Sequence, residues 1–302
     1  MTYAQLLVPD FALLLLGWVI CRYTFLDRTV WAQVEVLVYY FLFPVLLFQS
    51  VLRSPLDFDT ALHLIAAGVL LGLAAIGMAY LLPRVPGLGR HLDRRDHAAA
   101  AQVAFRFNSF IALAVAERMA GPQGLQLIAV LIGFCVPMFN VAAVFPMARA
   151  SGVHLGSALI RNPLIIGTGT GLAANLLGLQ MPGWLEPTVS RVGSTSIALG
   201  LMAAGAGLQF GSLATGKALA VSVLSIKHLL LPLVAWLLAR LLRLDPAQAT
   251  MLLTFSALPT ATNAYVLAVR MGYNGGYVAA LVTLSTLLGM ASLPFALSLP
   301  RG

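Results

Sequence analysis

Long apolar stretches alternate along the whole chain with short polar segments or segments that contain glycine or proline. Ten such stretches lie at 4–22, 31–52, 60–82, 97–119, 124–148, 155–177, 187–209, 217–241, 247–270 and 275–299. A helix that crosses a bilayer needs about 20 mostly apolar residues, and each stretch is close to that length. The pattern therefore predicts an all-α integral membrane protein with ten transmembrane helices, which we number as spans one to ten.

The composition narrows the class of protein further. Of the 302 residues, 60% are hydrophobic and 9% are charged, whereas about 25% of the residues of a soluble domain are charged. So few polar groups cannot cover a water-soluble fold, which excludes a soluble enzyme, a nucleic-acid-binding protein and a disordered chain. Cys21 and Cys135 lie inside apolar stretches and predict neither a disulfide nor a metal site. The sequence contains no P-loop and no HExxH helix, and we expect no cofactor.

Basic residues are spread unevenly over the two ends of the predicted spans. If both termini are external, ten of the 18 Lys and Arg residues fall on the cytoplasmic side, six on the outer side and two, Arg106 and Lys227, inside spans. Because basic residues collect in cytoplasmic loops, this excess predicts external termini and a cytoplasmic segment 83–96.

The second half of the chain repeats features of the first half. Four pairs of residues are separated by 153 to 155 positions: Pro9 and Pro163, Gly17 and Gly171, Trp31 and Trp184, and Asn108 and Asn263. This spacing predicts a first five-helix repeat over 1–150 and a second over 151–302. Because five is an odd number, the second repeat enters the membrane inverted, an arrangement typical of secondary transporters.

Spans four and nine have the most polar centres of the ten. Their candidate site residues are Arg106, Asn108 and Ser109 in span four, and Pro259, Thr260, Thr262, Asn263 and Tyr265 in span nine. Pro259 cannot donate a backbone hydrogen bond and breaks or kinks its helix. Two broken helices that cross near the midplane would direct their half-helix N-termini at one spot, which favours an anion. The alternative is that Pro259 makes a packed kink and that the Asn side chains bind neighbouring helices together.

Arg106 lies near the centre of its span, where a charge costs at least about 2.5–3.5 kcal/mol. It therefore needs a partner. One hypothesis is a substrate carboxylate. The alternative is a structural pair with Glu35, the only acid well inside an apolar span, or contact with carbonyl groups freed by the broken helix.

Lys227 lies ten residues beyond Lys217 in span eight, about 15 Å deep at 1.5 Å per residue. That depth prevents the amine from reaching the membrane surface easily. Lys227 and Glu35 are the candidates for gating or coupling. A structural tether between Lys227 and the carbonyl groups of the broken helices is the alternative.

Four motifs in the same order resemble the auxin efflux carrier family, in particular its bacterial members related to the plant PIN-formed carriers. They are Arg106-Phe-Asn-Ser-Phe-Ile-Ala-Leu-Ala, Arg161-Asn-Pro-Leu-Ile-Ile-Gly, Lys227-His-Leu-Leu-Leu-Pro and Leu258-Pro-Thr-Ala-Thr-Asn-Ala-Tyr-Val-Leu-Ala. The resemblance covers the whole chain. It implies a fold similar to that of the bile acid:sodium symporters, in which spans 1, 2, 6 and 7 form a scaffold and spans 3–5 and 8–10 a transport domain.

The resemblance also implies roles for residues. In the plant carriers an Asn-Pro pair lies at each crossover, and Asn108 and Asn263 take those places here, although neither is followed by Pro. Arg106 is an added charge, which favours a more acidic substrate such as a dicarboxylate, and bacterial relatives are commonly assigned to malate or malonate. The implied location is the bacterial inner membrane. A homodimer through the scaffold is implied by the family, whereas the small-residue motifs favour packing within one chain.

These observations predict a secondary transporter of small organic anions that works by alternating access, with its site at the crossover of helices four and nine. A proton- or sodium-coupled dicarboxylate importer is the alternative within transport. A membrane receptor or an intramembrane enzyme would need an output domain or a catalytic set of residues, and the sequence shows neither, so an enzyme is not expected.

Overall fold

The computed structural model describes residues 3–52, 58–148, 163–208, 216–261 and 263–299, and every regular element within them is helical. Five stretches are long and apolar enough to cross a membrane, judged by length and composition: Arg28–Leu46, Leu62–Arg84, Arg94–Met147, Lys217–Leu241 and Gly275–Ser298. The prediction of an all-α membrane protein is thereby confirmed. The arrangement as ten spans in two inverted repeats stays a prediction.

We number the described α-helices in chain order. They are α1 (Tyr3–Tyr23), α2 (Arg28–Leu37), α3 (Phe43–Leu52), α4 (Phe58–Leu81), α5 (Arg94–Ala100), α6 (Gln102–Phe105), α7 (Ser109–Ala148), α8 (Pro163–Leu176), α9 (Glu186–Ala206), α10 (Lys217–Ser225), α11 (Leu231–Leu241), α12 (Pro246–Ala257), α13 (Asn263–Arg270) and α14 (Gly275–Ser298). Short 3₁₀ turns follow α4 at Leu82–Arg84 and precede α5 at Gly89–His91.

Two long helices contain one wide π-helical turn each. The first, π1 (Val38–Leu42), joins α2 to α3, and the second, π2 (Ile226–Leu230), joins α10 to α11. Each ends two residues before a proline, Pro44 or Pro232. Because proline has no N–H and crowds the preceding turn, a local widening lets the helix pass it without a complete break.

Polar side chains fix the starts of several helices. Asp27, Asp93 and Asp245 each accept two backbone N–H groups of the first turn that follows, and Asn274 accepts the N–H of Tyr277. These caps satisfy N–H groups that have no partner inside the helix. Asp27, Asp245 and Asn274 lie in segments predicted to separate spans, and the cap at Asp93 starts span four at Arg94 rather than at 97.

Helix α7 contains the boundary between spans four and five. At 1.5 Å per residue its 40 residues would extend about 60 Å, twice the roughly 30 Å of a bilayer core. The helix is interrupted at Ala120 and at Gly121, where φ is +54°, a conformation that glycine adopts readily. The interruption therefore lies in the segment between the predicted spans 97–119 and 124–148.

The helices group into two compact units. The first comprises Met1–Leu62, Phe110–Gly133 and His154–Gly207, and the second comprises His63–Ser109, Phe134–Val153 and Leu208–Gly302. The division of the sequence into repeats 1–150 and 151–302, and the assignment of scaffold and transport roles to groups of spans, stay predictions.

Glycine sets the packing of the first unit, where α1 lies on α9 and α3 on α8. A side chain at Gly17 would meet the backbone of Met202, and one at Gly205 would meet the backbone of Leu14. At Gly167 a Cβ atom would lie 2.6 Å from the carbonyl oxygen of Pro44. Small residues allow membrane helices to approach this closely, so Gly167 serves packing within the chain.

In the second unit, three hydrogen bonds join helix ends at one face. The Nε2 of His97 donates to the carbonyl of Ala79 at 2.9 Å, and Arg95 donates to the carbonyl of Gly272 at 2.8 Å. The hydroxyl of Tyr277 donates to the carbonyl of Gly216 at 2.7 Å, and α14 also packs on α5. The start of span four therefore lies beside the end of span nine, and the two spans run in opposite directions.

Candidate functional site

Span four is interrupted for three residues. Helix α6 ends at Phe105, the residues from Arg106 to Asn108 are not helical, and α7 begins at Ser109. Arg106 is extended, with φ −71° and ψ 153°. The break occurs although this segment contains neither proline nor glycine, so its cause lies outside the segment.

Span nine is interrupted at the predicted proline. Helix α12 ends at Ala257, Leu258 is extended with ψ 138°, and α13 begins at Asn263. The residue before a proline is driven out of the helical conformation, which accounts for Leu258. Pro259 itself has no N–H to continue the helix.

The two interruptions contact each other through hydrogen bonds of backbone groups. The N–H of Asn108 donates to the carbonyl of Pro259 at 2.7 Å. The hydroxyl of Thr260 donates to the carbonyl of Val103 at 2.7 Å. Each bond satisfies a buried backbone group near the end of a helical segment. Spans four and nine are thus joined at the level of their breaks, within the second unit.

Gln102, in the last helical segment before the break of span four, also joins spans four and nine. Its side-chain NH₂ donates to the carbonyls of Ala99 at 3.0 Å and Ala264 at 3.1 Å, and the residue is fully buried. Its Oε1 accepts a hydrogen bond from Arg106 at 3.0 Å. Sequence reasoning missed this residue. The available signal was a long polar amide within an apolar stretch, four positions before Arg106.

Arg106 is half-buried, and two neutral amide groups accept hydrogen bonds from it. One of its terminal nitrogen atoms donates to Gln102, as described, and the other to the Oδ1 of Asn140 at 3.2 Å. Amide oxygens orient a guanidinium group but carry no net charge. Glu35, the alternative partner predicted for Arg106, accepts hydrogen bonds from Arg28 through both carboxylate oxygens, at 2.8 and 3.0 Å. Each group therefore has partners of its own.

The remaining predicted site residues lie close to the breaks along the chain. Asn108 is 3% exposed, and Ser109 is half-buried as the first residue of α7. Tyr265 is half-buried in α13. Thr262 and the side chain of Asn263 lie outside the described residues. Their substrate-binding roles stay predictions.

Thr260 differs from the other candidates because its polar groups are already bonded to protein. It is fully buried, its hydroxyl donates to Val103, and its N–H donates to the Oγ of Ser285 at 3.0 Å. A threonine hydroxyl has only one hydrogen to donate. In this conformation Thr260 therefore holds the two spans together.

A polar cluster on span eight and span ten supports the break in span nine. His228 in π2 contacts Ser285 through Nε2 at 2.9 Å and Ser292 through Nδ1 at 2.8 Å. Ser292 donates to the carbonyl of Ala257, the last residue of α12, at 3.2 Å. Ser285 and Ser292 are seven residues apart and so share one face of α14. That spacing was the signal in the sequence that could have indicated the cluster.

Lys227 lies next to His228 and is 2% exposed. The turn π2 packs on α6, α12 and α14, and none of these three helices contains Asp or Glu. Within the described residues, the amine of Lys227 makes no hydrogen bond or ion pair. A buried amine without an acidic neighbour is costly, which makes Lys227 a functional candidate.

Comparison with known proteins identifies the family. The family described as "Membrane transport protein" matches residues 90–297, a range that includes both interrupted spans and His228. A protein of Rhizobium meliloti (strain 1021) named "Putative malonate transporter" is 25% identical over 319 residues, which cover 98% of this chain and 95% of the relative.

The matched region contains the motifs of spans four, six, eight and nine, which resembled the auxin efflux carriers at the level of sequence. The match also confirms that the chain is a transporter rather than an enzyme. The chain belongs to the membrane transport protein family of the auxin efflux carriers.

Proposed function

We propose that this protein is a secondary transporter of small carboxylates whose substrate site lies at the crossing of spans four and nine. The observation that carries the proposal is the hydrogen bond from the N–H of Asn108 to the carbonyl of Pro259. Non-helical backbone at membrane depth is tolerated where it is buried in protein or lines a cavity. Discontinuous helices at the midplane are the usual substrate sites of secondary transporters.

The charge and dipoles at the crossing favour an anion. Helices α7 and α13 begin at Ser109 and Asn263, directly after the two breaks, and helix N-termini attract negative charge. Arg106 adds a positive charge that is oriented by the amide oxygens of Gln102 and Asn140. A substrate carboxylate would supply the negative charge that these amides lack.

We favour a dicarboxylate over a monocarboxylate. The side chains of Asn108 and Asn263 would bind one carboxylate by hydrogen bonds, and Arg106 would pair with the second. The name of the Rhizobium relative, whose match spans nearly the whole chain, makes malonate the first compound to test. Ser109, Thr262 and Tyr265 complete the proposed substrate-binding set.

Alternating access would follow from movement of a transport domain, spans 3–5 and 8–10, against a scaffold of spans 1, 2, 6 and 7. The scaffold would also provide the contact of a homodimer. We place the protein in the bacterial inner membrane with both termini external. Lys227 and Glu35 stay candidates for gating or coupling. A proton- or sodium-coupled dicarboxylate importer is the alternative mechanism.

The paired asparagines provide the test. Asn108→Ala and Asn263→Ala each remove hydrogen bonds to a charged ligand, worth about 1.5–3 kcal/mol, so the Kd for malonate should rise about ten- to a hundredfold. Asn175→Ala is the matched control, because Asn175 bonds the carbonyl of Leu52 in the first unit at 2.9 Å. Binding is measured by calorimetry on purified protein, and flux in proteoliposomes with and without sodium.

Three results would contradict the proposal or change it. If both asparagine variants bind and transport malonate like wild type, the crossing is not the site. If the wild-type protein neither binds nor transports any of malonate, malate and acetate, the proposal of carboxylate transport is wrong. An absolute requirement for sodium or for a proton gradient would favour the coupled dicarboxylate importer.

A further inference from the structure

One peptide group in the break of span nine is held at both ends. The carbonyl of Pro259 accepts the N–H of Asn108 at 2.7 Å. The N–H of the same peptide group belongs to Thr260 and donates to the Oγ of Ser285 at 3.0 Å. Because a peptide group is planar, a rotation that releases one end also turns the other. The position of the Asn108 backbone therefore depends on Ser285.

Ser285 is in turn held by His228. The Nε2 of His228 lies 2.9 Å from the Oγ of Ser285, and its Nδ1 lies 2.8 Å from the Oγ of Ser292. Both hydroxyls belong to α14, whereas His228 belongs to π2 in span eight. The imidazole thus bridges two spans behind the break, and a chain of contacts runs from His228 through Ser285 to Thr260.

One arrangement of the hydrogen atoms in the cluster fits a neutral ring. Ser292 donates its single hydrogen to the carbonyl of Ala257, so it accepts a hydrogen bond from Nδ1–H. A neutral imidazole then has an acceptor at Nε2, which takes the hydroxyl hydrogen of Ser285. The lone pairs of Ser285 receive the N–H of Thr260. The Oγ of Ser285 also lies 3.1 Å from the Oγ1 of Thr260, whose own hydrogen goes to Val103, so Nε2 and Thr260 are two acceptors for the one hydrogen of Ser285. With this arrangement a neutral ring has a hydrogen-bond partner at both nitrogen atoms.

The surroundings agree with a neutral ring. Besides its continuation in α10 and α11, π2 packs on α6, α12 and α14. The only titratable side chain of these three helices is Tyr277, at the start of α14, which donates to the carbonyl of Gly216. The adjacent residue in π2 is Lys227. A buried imidazolium would have no carboxylate in these helices, and an unpaired buried charge is strongly disfavoured.

We propose that His228 is a positioning residue for the substrate site: as a neutral imidazole it acts through Ser285 to hold the Pro259–Thr260 peptide group, and through that group the backbone of Asn108. This inference rests on the proposed function for its effect on the substrate. The hydrogen-bonded clamp itself exists without substrate, so the two are tested separately.

Two substitutions separate the two nitrogen atoms of the ring. His228→Gln places an amide oxygen at the position of Nε2 and keeps an acceptor for Ser285. In His228→Asn the shorter side chain reaches only the position of Nδ1, so the hydrogen bond with Ser285 is lost. Ser285→Ala removes the same link from the other side. Thr286→Val is the matched control, because Thr286 lies beside Ser285 and its hydroxyl donates to the carbonyl of Val282, in the same helix, at 3.0 Å.

The first measurement needs no substrate. Amide hydrogen–deuterium exchange is followed by mass spectrometry over residues 258–264. Loss of one hydrogen bond should accelerate exchange roughly five- to tenfold in His228→Asn and Ser285→Ala. His228→Gln and Thr286→Val should exchange like wild type. The clamp is refuted if the Asn and Gln variants exchange equally fast, or if Ser285→Ala exchanges like Thr286→Val.

The second measurement is malonate affinity. His228→Asn and Ser285→Ala should raise Kd about tenfold, whereas His228→Gln and Thr286→Val should stay within about threefold of wild type. If His228 has only a general structural role, both His228 variants should melt at a lower temperature, and His228→Gln and His228→Asn should bind malonate with the same affinity. That result would overturn the positioning role. If wild-type protein binds no carboxylate, the proposed function fails while the exchange result still decides the clamp.

Discussion

Gly289 in α14 lies against the proline that breaks span nine. An added Cβ atom at this position would lie 2.5 Å from Cγ and 3.2 Å from Cδ of Pro259. Carbon atoms in contact are normally about 3.5–4.0 Å apart, so Gly289→Ala requires a shift of about 1 Å. The proline ring has little freedom to move, because the carbonyl of Pro259 is bonded to Asn108.

The size of the effect follows from two opposing contributions. Overpacking a well-packed core costs about 1–3 kcal/mol, whereas replacing glycine by alanine inside a helix stabilises by about 0.5–1 kcal/mol. Gly77→Ala in α4 is the control, because no atom lies within 4 Å of its added Cβ atom. Both variants gain the helical contribution, so the difference between them isolates the clash, about 1–3 kcal/mol.

The two variants are compared by unfolding of purified protein in mixed detergent micelles and by malonate flux in proteoliposomes. Gly289→Ala should be less stable than Gly77→Ala by about 1–3 kcal/mol, and its flux should fall because Pro259 and Asn108 are displaced. Gly77→Ala should match or exceed wild-type stability. If Gly289→Ala is as stable as Gly77→Ala and transports like wild type, the contact between Gly289 and Pro259 does not fix the break.

Two further predictions concern the buried cations. Arg106→Gln removes a charge whose described partners are neutral amides, so the melting temperature of the apo protein should stay near that of wild type. Its Kd should rise about ten- to a hundredfold for malonate and less for acetate; equal losses for both ligands would contradict a dicarboxylate site. Lys227→Met replaces a buried amine whose turn packs on three helices, α6, α12 and α14, that contain no Asp or Glu. Such an amine costs several kcal/mol when charged. Its melting temperature should therefore rise while flux falls, and a lower melting temperature would show that the amine stabilises the fold.

The sequence predicted those features that depend on neighbours along the chain. Asp27, Asp245 and Asn274 cap the helices that follow them, so the limits of these helices could be derived from local chemistry. The break at Pro259 follows from the missing N–H of proline. The turn at Gly121 follows from the ability of glycine to adopt a positive φ.

The meeting of spans four and nine was predicted from the internal repeat and the family resemblance, but the individual contacts between distant parts of the chain were not. The three non-helical residues of span four are bonded to span nine, about 150 residues away (259 − 108 = 151), and no local signal reports such a contact. The same holds for Gln102, His228 and Ser285, whose partners lie on other helices. The pairing of Glu35 with Arg28 was not predicted, because Arg28 lies outside the predicted span 31–52. The Asp27 cap starts the helix at Arg28, one heptad before Glu35, and the two side chains meet on one face.

The glycine contacts of the first unit have a consequence for the order in which the protein assembles. Gly17 packs on the backbone of Met202, which is made 185 residues later (202 − 17), roughly 10–40 s at 5–20 residues per second. As span one of the predicted topology, α1 would during that time turn to lipid or to other chains the glycine face that later receives α9. Both compact units combine segments from the first and second halves of the sequence, so neither half can complete a unit by itself. The first unit therefore cannot be completed before Gly207 has been made, and the second unit cannot be completed before the last segment, Leu208–Gly302, has been made.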